Sequence, residues 1–331
     1  MRLKNFPEEV VFDLSDCERA QLTSWAQDVA QENISNPGLY RHGDVLKAVR
    51  KLDGPSFDAM RRFAESSNDY GTLLLRNVPI DTSLPPTPHD GRRPDNMPYL
   101  SESVGALLGC LLGDIFSYGD EKEGLLIQNI CPVFGQENLQ ENTGSVFLEF
   151  HTEDSFHPFP PDYLILMCLR GDRTGQAITA TASLGRVIGS LDEEVIETLA
   201  GPNYIIRSSS SFGASKYRRR TAIIGDPQQG RGLVFDLNGM EALSDVAEQA
   251  MQRLRQALER EAYGICLTPG DAIIIDNNKS CHARTGFRPY YDGRDRWLQR
   301  IFISRDFARM QDMLVPGTRM IDPEKSRELV A

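Results

Sequence analysis

The sequence predicts a mostly β fold, a barrel or sandwich with helices packed on its outside. Three observations predict it. From residue 125 onward, nine short runs rich in aliphatic, β-branched and aromatic residues follow one another, split by Gly, Pro, Asp and Asn. Helical periodicity is concentrated before residue 117 and then returns only twice. The 331 residues hold no internal repeat and no low-complexity tract beyond "SSSSFGAS". The expected organisation is therefore one domain: a helical N-terminal portion (1–68), a β core (about 70–305) and a tail (306–331).

In chain order, residues 15–33 read as an amphipathic helix with Ser15 or Asp16 as its cap and Leu22, Trp25, Ala26 and Val29 on one face. A second helix spans "PSFDAMRRFAES", and "YGTLLLRNVPI" after it is a buried strand. The proline-rich stretch 81–98 is a loop, followed by an apolar helix through "SVGALLGCLLGDIF". The nine β runs are "GLLIQNICPVF", "VFLEFHTED", "DYLILMCLRGD", "AITATASL", "NYIIRSSSS", "TAIIGD", "GLVFDLN", "AYGICLTPGDAIIIDN" and "RWLQRIFISRD". Two helices interrupt them. One lies near "LDEEVIETLAG"; the other runs from about Met240 to Glu261, with Leu243, Val246, Ala250, Leu254 and Leu258 on one face.

Composition narrows the function. The net charge of -11 repels phosphate backbones and anionic membranes, so neither nucleic acid nor membrane is an expected partner. The most apolar stretch is too short to span a bilayer, and the N-terminus has no signal-like apolar core. No two of the six cysteines lie within four residues of each other, which excludes a CxxC motif and fits a reducing cytoplasm. Cys168, inside "YLILMCL", reads as a small buried hydrophobe.

Chemistry is concentrated in "FHTED". On a strand, residues i and i+2 point the same way, so His151 and Glu153 present an imidazole and a carboxylate to one point. The helical HExxH zinc pattern is absent. A third ligand must come from His42, His89, His157 or His282. His157 stands before prolines on chain leading away. His282 lies beyond a remote strand that a barrel brings alongside, and completes two histidines and a carboxylate with open positions, a set suited to non-haem Fe(II). Taken alone, a His-x-Glu pair is more often a pair of polar surface residues than a metal site. Downstream, Arg296 and Arg300 alternate with Leu298 and Phe302 on one strand face. Guanidinium on a core-facing strand is costly unless anions meet it.

These blocks, "FHTEDSFHPFPPDYLILMCLRGD" and "LTPGDAIIIDNNKSCHARTGFRPYYDGRDRWLQR", resemble the clavaminate synthase-like family of Fe(II)/2-oxoglutarate-dependent oxygenases over roughly residues 70–305. The resemblance implies a distorted jelly roll (double-stranded β-helix). It implies Fe(II) on His151, Glu153 and His282. It places 2-oxoglutarate on Arg296, fourteen residues past His282, helped by Thr179 or else Thr181. Arg300, four residues further, would take a substrate α-carboxylate. With O2, such a site hydroxylates a carbon and releases succinate and CO2.

The implied substrate is a free L-amino acid. Gln128 would accept its ammonium, and Ser145 would touch its carboxylate. In "LVFDLNGME", Asp236 and Asn238 replace the Asp-x-Asp of an arginine-hydroxylating relative. An acid plus an amide offers acceptors and a donor, which suits citrulline, with arginine and lysine behind it. The same two residues can equally form a turn before the Met240 helix. The loops 134–144 and 208–220 are candidate lids, though "KYRRR" also reads as a solvated basic patch. Alternatives are a zinc hydrolase on the same three ligands, a hydroxylase of asparagine-like or carrier-bound substrates, and a non-catalytic jelly-roll binding protein.

Overall fold

The computed structural model describes residues 2–30, 34–95, 97, 99–212, 217–225 and 232–328. The N-terminal part contains β1 (Lys4–Asn5), β2 (Val11–Asp13), α1 (Asp16–Val29), α2 (His42–Val49), α3 (Pro55–Ser66), β3 (Thr72–Arg76) and α4 (Leu100–Leu112). Then come β4 (Asp114–Tyr118), β5 (Ile127–Ile130), β6 (Leu148–His151), β7 (Tyr163–Arg170), β8 (Thr179–Ser183), α5 (Leu184–Val187) and α6 (Glu193–Ala200). Next are β9 (Tyr204–Arg207), β10 (Arg218–Thr221), β11 (Met240–Ala242) and α7 (Asp245–Glu261). The chain closes with β12 (Tyr263–Ile265), β13 (Ala272–Asp276), β14 (Ser280–Arg284), β15 (Trp297–Ser304), β16 (Met320–Ile321) and α8 (Pro323–Glu328).

Two mixed sheets organise the molecule. The large one has the order β16-β4-β15-β7-β13-β3-β2, with β5 also on β15; the small one is β1-β12-β8-β14-β6. A third, of β10-β9-β11, lies apart. Alternation along β15 explains how the large sheet is used. Trp297, Ile301 and Ile303 belong to the apolar layer in which α4 packs on β15, with α1 and α3 packed against α4 in turn. Leu298 and Phe302 point the other way, towards the small sheet, whose Thr179, His282 and Arg284 face the space between; Ala180, Ala182, Cys281 and Ala283 alternate onto its opposite face. On its far side the small sheet is covered by α7 through Ala247, Ala250, Leu254 and Leu258. No described helix is long and apolar enough to cross a membrane.

Several boundaries differ from those the sequence predicts. The first helix ends at Val29, and 31–33 lie outside the described residues. The apolar helix stops at Leu112, and "DIF" belongs to β4. Gly113 makes the break, because a Cβ there would lie 2.4 Å from the Ser304 carbonyl oxygen. The long helix starts at Asp245, not Met240. Residues 240–242 pair antiparallel with β9 instead, and the Ser244 side chain caps the helix at the Ala247 amide. Its buried stripe therefore excludes Leu243 and Val246, which are exposed. "TAIIGD" and "GLVFDLN" are not full strands. Only Thr221 of the first run lies in one, and both runs otherwise make isolated bridges, Ile224 with Leu233 and Asp236 with His151.

Candidate active site

β6 and β14 pair antiparallel with His151 opposite His282, which brings the two imidazole centroids to 4.2 Å. β6 ends at His151, because Thr152 turns aside to bond Phe235 through its amide (2.6 Å) and hydroxyl. Glu153 thus sits in a turn rather than on the strand. Asn277 pins it there: its Oδ1 accepts from the Glu153 amide at 2.7 Å, and its Nδ2 donates to the Glu153 carbonyl at 3.0 Å. Glu153 Oε2 lies 3.3 Å from His282 Nε2, and one ligand atom from each of the three residues falls within 4.8 Å of the others. His151 Nδ1 is 2.8 Å from the Glu149 carbonyl and so carries the proton, which leaves Nε2 as the lone-pair nitrogen. Burial, then the neighbouring His151, push His282 down to about 4, so it is neutral near pH 7. Burial alone would raise the Glu153 carboxyl, but Arg300 and both imidazoles hold it well below the usual carboxylate range. An imidazole nitrogen from each histidine and an ionised carboxylate are the donor set a non-haem Fe(II) needs.

The triad opens on a cavity of about 450 Å³ between the two sheets. Arg296, the residue just before β15, lines it at 6% exposure, and its Nη2 lies 3.4 Å from the Thr179 hydroxyl. No described carboxylate lies within ion-pair distance of Arg296, and burial disfavours its cation. Thr179 lines the cavity; Thr181 sits opposite His282 in the β8–β14 register and does not. Arg284, two residues past His282, is a second buried arginine on the cavity wall that the sequence reading missed. Its position on the His282 face was the available signal.

Arg300 is already engaged. Its Nη1 is 2.5 Å from Glu153 Oε1, its Nη2 2.5 Å from Glu121 Oε1, and its Nε 3.0 Å from Gln128 Oε1. Glu121 was also missed in the sequence. It is 1% exposed, leads into the left-handed run Lys122, Glu123 and Gly124 (φ 48°, 59° and 72°), and has no motif around it. Gln128 and Ser145 do not border the cavity. Gln128 is the β5 residue opposite Arg300, so the guanidinium takes up its oxygen. Ser145 backs onto the Glu137 carbonyl, 3.5 Å from its hydroxyl. Asp236 and Asn238 both line the cavity, but in a turn: Asp236 Oδ1 accepts from the amides of Asn238 and Gly239 at 2.9 Å each. They do not share a strand face, and the turn leads into β11 rather than a helix. His157 is buried away from the cavity, 4.4 Å from the Tyr118 ring.

The two polar loops meet at the cavity. Glu141 Oε1 accepts from the Ser210 amide at 2.7 Å and its hydroxyl at 2.6 Å, with Gln140, Asn142 and Ser208 to Ser211 also on the wall. The continuation at 213–216 lies outside the described residues. Of "KYRRR", Arg218 and Arg220 are exposed and Tyr217 is buried.

The model of the taurine catabolism dioxygenase TauD, TfdA family matches residues 38–302. The chain belongs to this family. The TauD/TfdA family is Fe(II)/2-oxoglutarate-dependent and uses O2. L-asparagine oxygenase of Streptomyces coelicolor is 33% identical over 312 residues, covering 92% of this chain and 92% of that protein. A crystal structure of asparagine oxygenase with Fe(II), 2S,3S-3-hydroxyasparagine and succinate superposes with a TM-score of 0.88 at 30% identity, covering 94% of this chain and 99% of that one. A crystal structure of the non-haem iron oxygenase OrfP with Fe and alpha-ketoglutaric acid has a TM-score of 0.83 at 26% identity, covering 94% and 100%. These relatives are Fe(II)/2-oxoglutarate-dependent amino-acid oxygenases, and a TauD/TfdA dioxygenase with this His-Glu-His cluster is an enzyme of that kind.

Proposed function

We propose that this dioxygenase hydroxylates a free L-amino acid whose side chain ends in a carboxamide or ureido group. Asparagine and citrulline rank ahead of arginine and lysine. The observation that carries the reading is the convergence, in one inter-sheet cavity, of a two-His, one-Glu cluster with a buried arginine that faces no carboxylate. His151, Glu153 and His282 are the iron ligands in this reading, and Arg296 with Thr179 holds the far carboxylate of 2-oxoglutarate. Iron so held supplies the oxidising chemistry that turns O2, 2-oxoglutarate and a C–H bond into an alcohol, succinate and CO2.

The protein's part is placement. Arg300 and Glu121 form a buried ion pair beside the triad. A zwitterionic amino acid suits that pair, its carboxylate turned to Arg300 and its ammonium to Glu121. The side chain then runs towards Asp236, Asn142 and Asn238, which offer carboxylate and amide oxygens as well as amide N–H groups. A carboxamide needs both kinds of partner, whereas a guanidinium or ammonium needs acceptors only. The two facing sheets support a distorted jelly roll as the frame.

The test is succinate release from Fe(II)-loaded enzyme across asparagine, citrulline, glutamine, arginine and lysine, with mass spectrometry of the amino acid. The expected result is a mass gain of one oxygen on a carboxamide or ureido substrate, lost in His151→Ala and Arg296→Ala. Turnover that needs no 2-oxoglutarate, or that survives both substitutions, would sink the reading.

A further inference from the structure

Arg284 has no part in the reading above, yet its setting is that of a ligand-binding group. It follows His282 by two residues on β14, so both side chains leave the strand on the cavity side. The residue is 5% exposed. Its Nη2 donates to the Val146 carbonyl at 2.7 Å, and its Nε is buried with no partner among the described residues. No described carboxylate lies within ion-pair distance. In the β8–β14 register Arg284 stands opposite Thr179, whose hydroxyl Arg296 approaches to 3.4 Å. Thr179 is therefore flanked by an arginine of the small sheet and one at the lead-in to β15 of the large sheet, both lining the same cavity. Two buried guanidiniums with no acid between them repel each other, and an anion seated between them removes both the repulsion and the missing hydrogen bonds.

We propose that Arg284 and Arg296 form a two-sided socket for a single carboxylate, with Thr179 at its base, and that Arg284 is a binding residue for the far carboxylate of the 2-oxo acid. The proposal rests on reading the cavity as a 2-oxoglutarate site. A socket of this kind makes the far carboxylate a main source of affinity: a 2-oxo acid ending in a methyl group leaves both cations unanswered and binds more weakly.

Fe(II)-loaded enzyme is titrated anaerobically with 2-oxoglutarate and, separately, with 2-oxopentanoate, which has a methyl group in place of the far carboxylate. The readout is the visible charge-transfer absorption of the bound 2-oxo acid, so turnover is not needed. Arg284→Met is expected to raise the Kd for 2-oxoglutarate roughly tenfold or more, the scale of one charge-assisted contact. It should leave the Kd for 2-oxopentanoate within about twofold, since that ligand offers the socket nothing to hold. Arg284→Lys keeps the charge and stem and serves if the Met variant does not fold; it should weaken 2-oxoglutarate by a smaller factor, of about threefold, with 2-oxopentanoate again unmoved. An unchanged Kd for 2-oxoglutarate in these variants overturns the socket, as does an equal loss for both ligands, which marks a merely structural arginine. Wild-type enzyme that gives no absorption with 2-oxoglutarate overturns the cavity reading as well, and that outcome is distinct from a response in wild type that Arg284 does not alter.

Discussion

At the scale of single residues, Glu153 stands at a junction: one carboxylate oxygen faces His282 and the other faces Arg300. The same guanidinium reaches Glu121, so the proposed metal ligand and the proposed substrate contacts form one chain of charges. Glu121→Gln removes the acid that would face the substrate ammonium and leaves the Arg296 end untouched. Loss of a hydrogen bond to a charged group is worth about 2 kcal/mol, or roughly thirtyfold. Steady-state kinetics should show KM for the amino acid rising by that factor, while anaerobic titration shows 2-oxoglutarate affinity unchanged. A matching fall in 2-oxoglutarate affinity would place Glu121 in general support of the fold. The His-x-Glu spacing and the unusual arginines on an apolar strand were legible in the sequence because both break ordinary patterning. Glu121 was not, because a turn of left-handed residues has no periodicity and its contact with Arg300 spans 179 positions.

At the scale of elements, Glu18 shows how the helical layer is fastened. It completes a capping box on α1: Oε2 accepts from the Ser15 amide at 2.9 Å, and the Ser15 hydroxyl accepts from the Glu18 amide at 3.3 Å. Its other oxygen accepts from the Ser56 amide at 2.8 Å, in the first turn of α3. One buried carboxylate thus serves two helix starts. Gly54 makes room for it, since a Cβ there would lie 2.5 Å from Glu18 Oε1 and the backbone φ is 141°. Glu18→Ala should cost about 2 kcal/mol, one cap's worth for each helix, read as a lower midpoint in denaturant with unchanged slope. Burial alone would raise the Glu18 carboxyl, but the hydrogen bonds from Ser15 and Ser56 bring it below its ordinary 4.5. Its contribution is therefore complete above pH 4.5 and fades as pH falls through the depressed value, so wild type and Glu18→Ala should converge in acid. The sequence offered Ser15 or Asp16 as the cap of α1, and Ser15 takes the position. The reach of Glu18 to α3 was not legible, because nothing local marks which helix a second carboxylate oxygen will meet. The start of α7 was misplaced for a related reason: Met240 to Ala242 fit a helical stripe, and only their pairing with β9 makes them a strand.

At the scale of the whole molecule, the site belongs to neither sheet alone. His282 and Thr179 come from the small sheet and His151 ends its edge strand, while Arg300 comes from the large one and Arg296 from the residue leading into its strand β15. The mostly β plan with outer helices could be read from the succession of short runs, but the sorting of those runs into two sheets depends on contacts hundreds of residues apart. Because a bound metal and 2-oxo acid would bridge the sheets, both should stabilise the fold by mass action. At a hundredfold excess over Kd the gain is about 2.7 kcal/mol, a rise in Tm of several degrees by calorimetry with Mn(II) and 2-oxoglutarate under anaerobic conditions. A chelator should reverse it. No shift with either ligand would mean that the cavity does not hold them.

The contact between Glu141 and Ser210 has a consequence for traffic. Glu141 belongs to a loop anchored by Glu137 to Tyr291, whose hydroxyl lies 2.7 Å from the carboxylate; Ser210 extends from the small third sheet. The wall at that point is a seam between separately rooted pieces of chain, fastened by two hydrogen bonds. A molecule entering through that part of the wall would have to unfasten it, so passage there would keep its own pace, set by the seam and separate from how fast the bond at the centre is made.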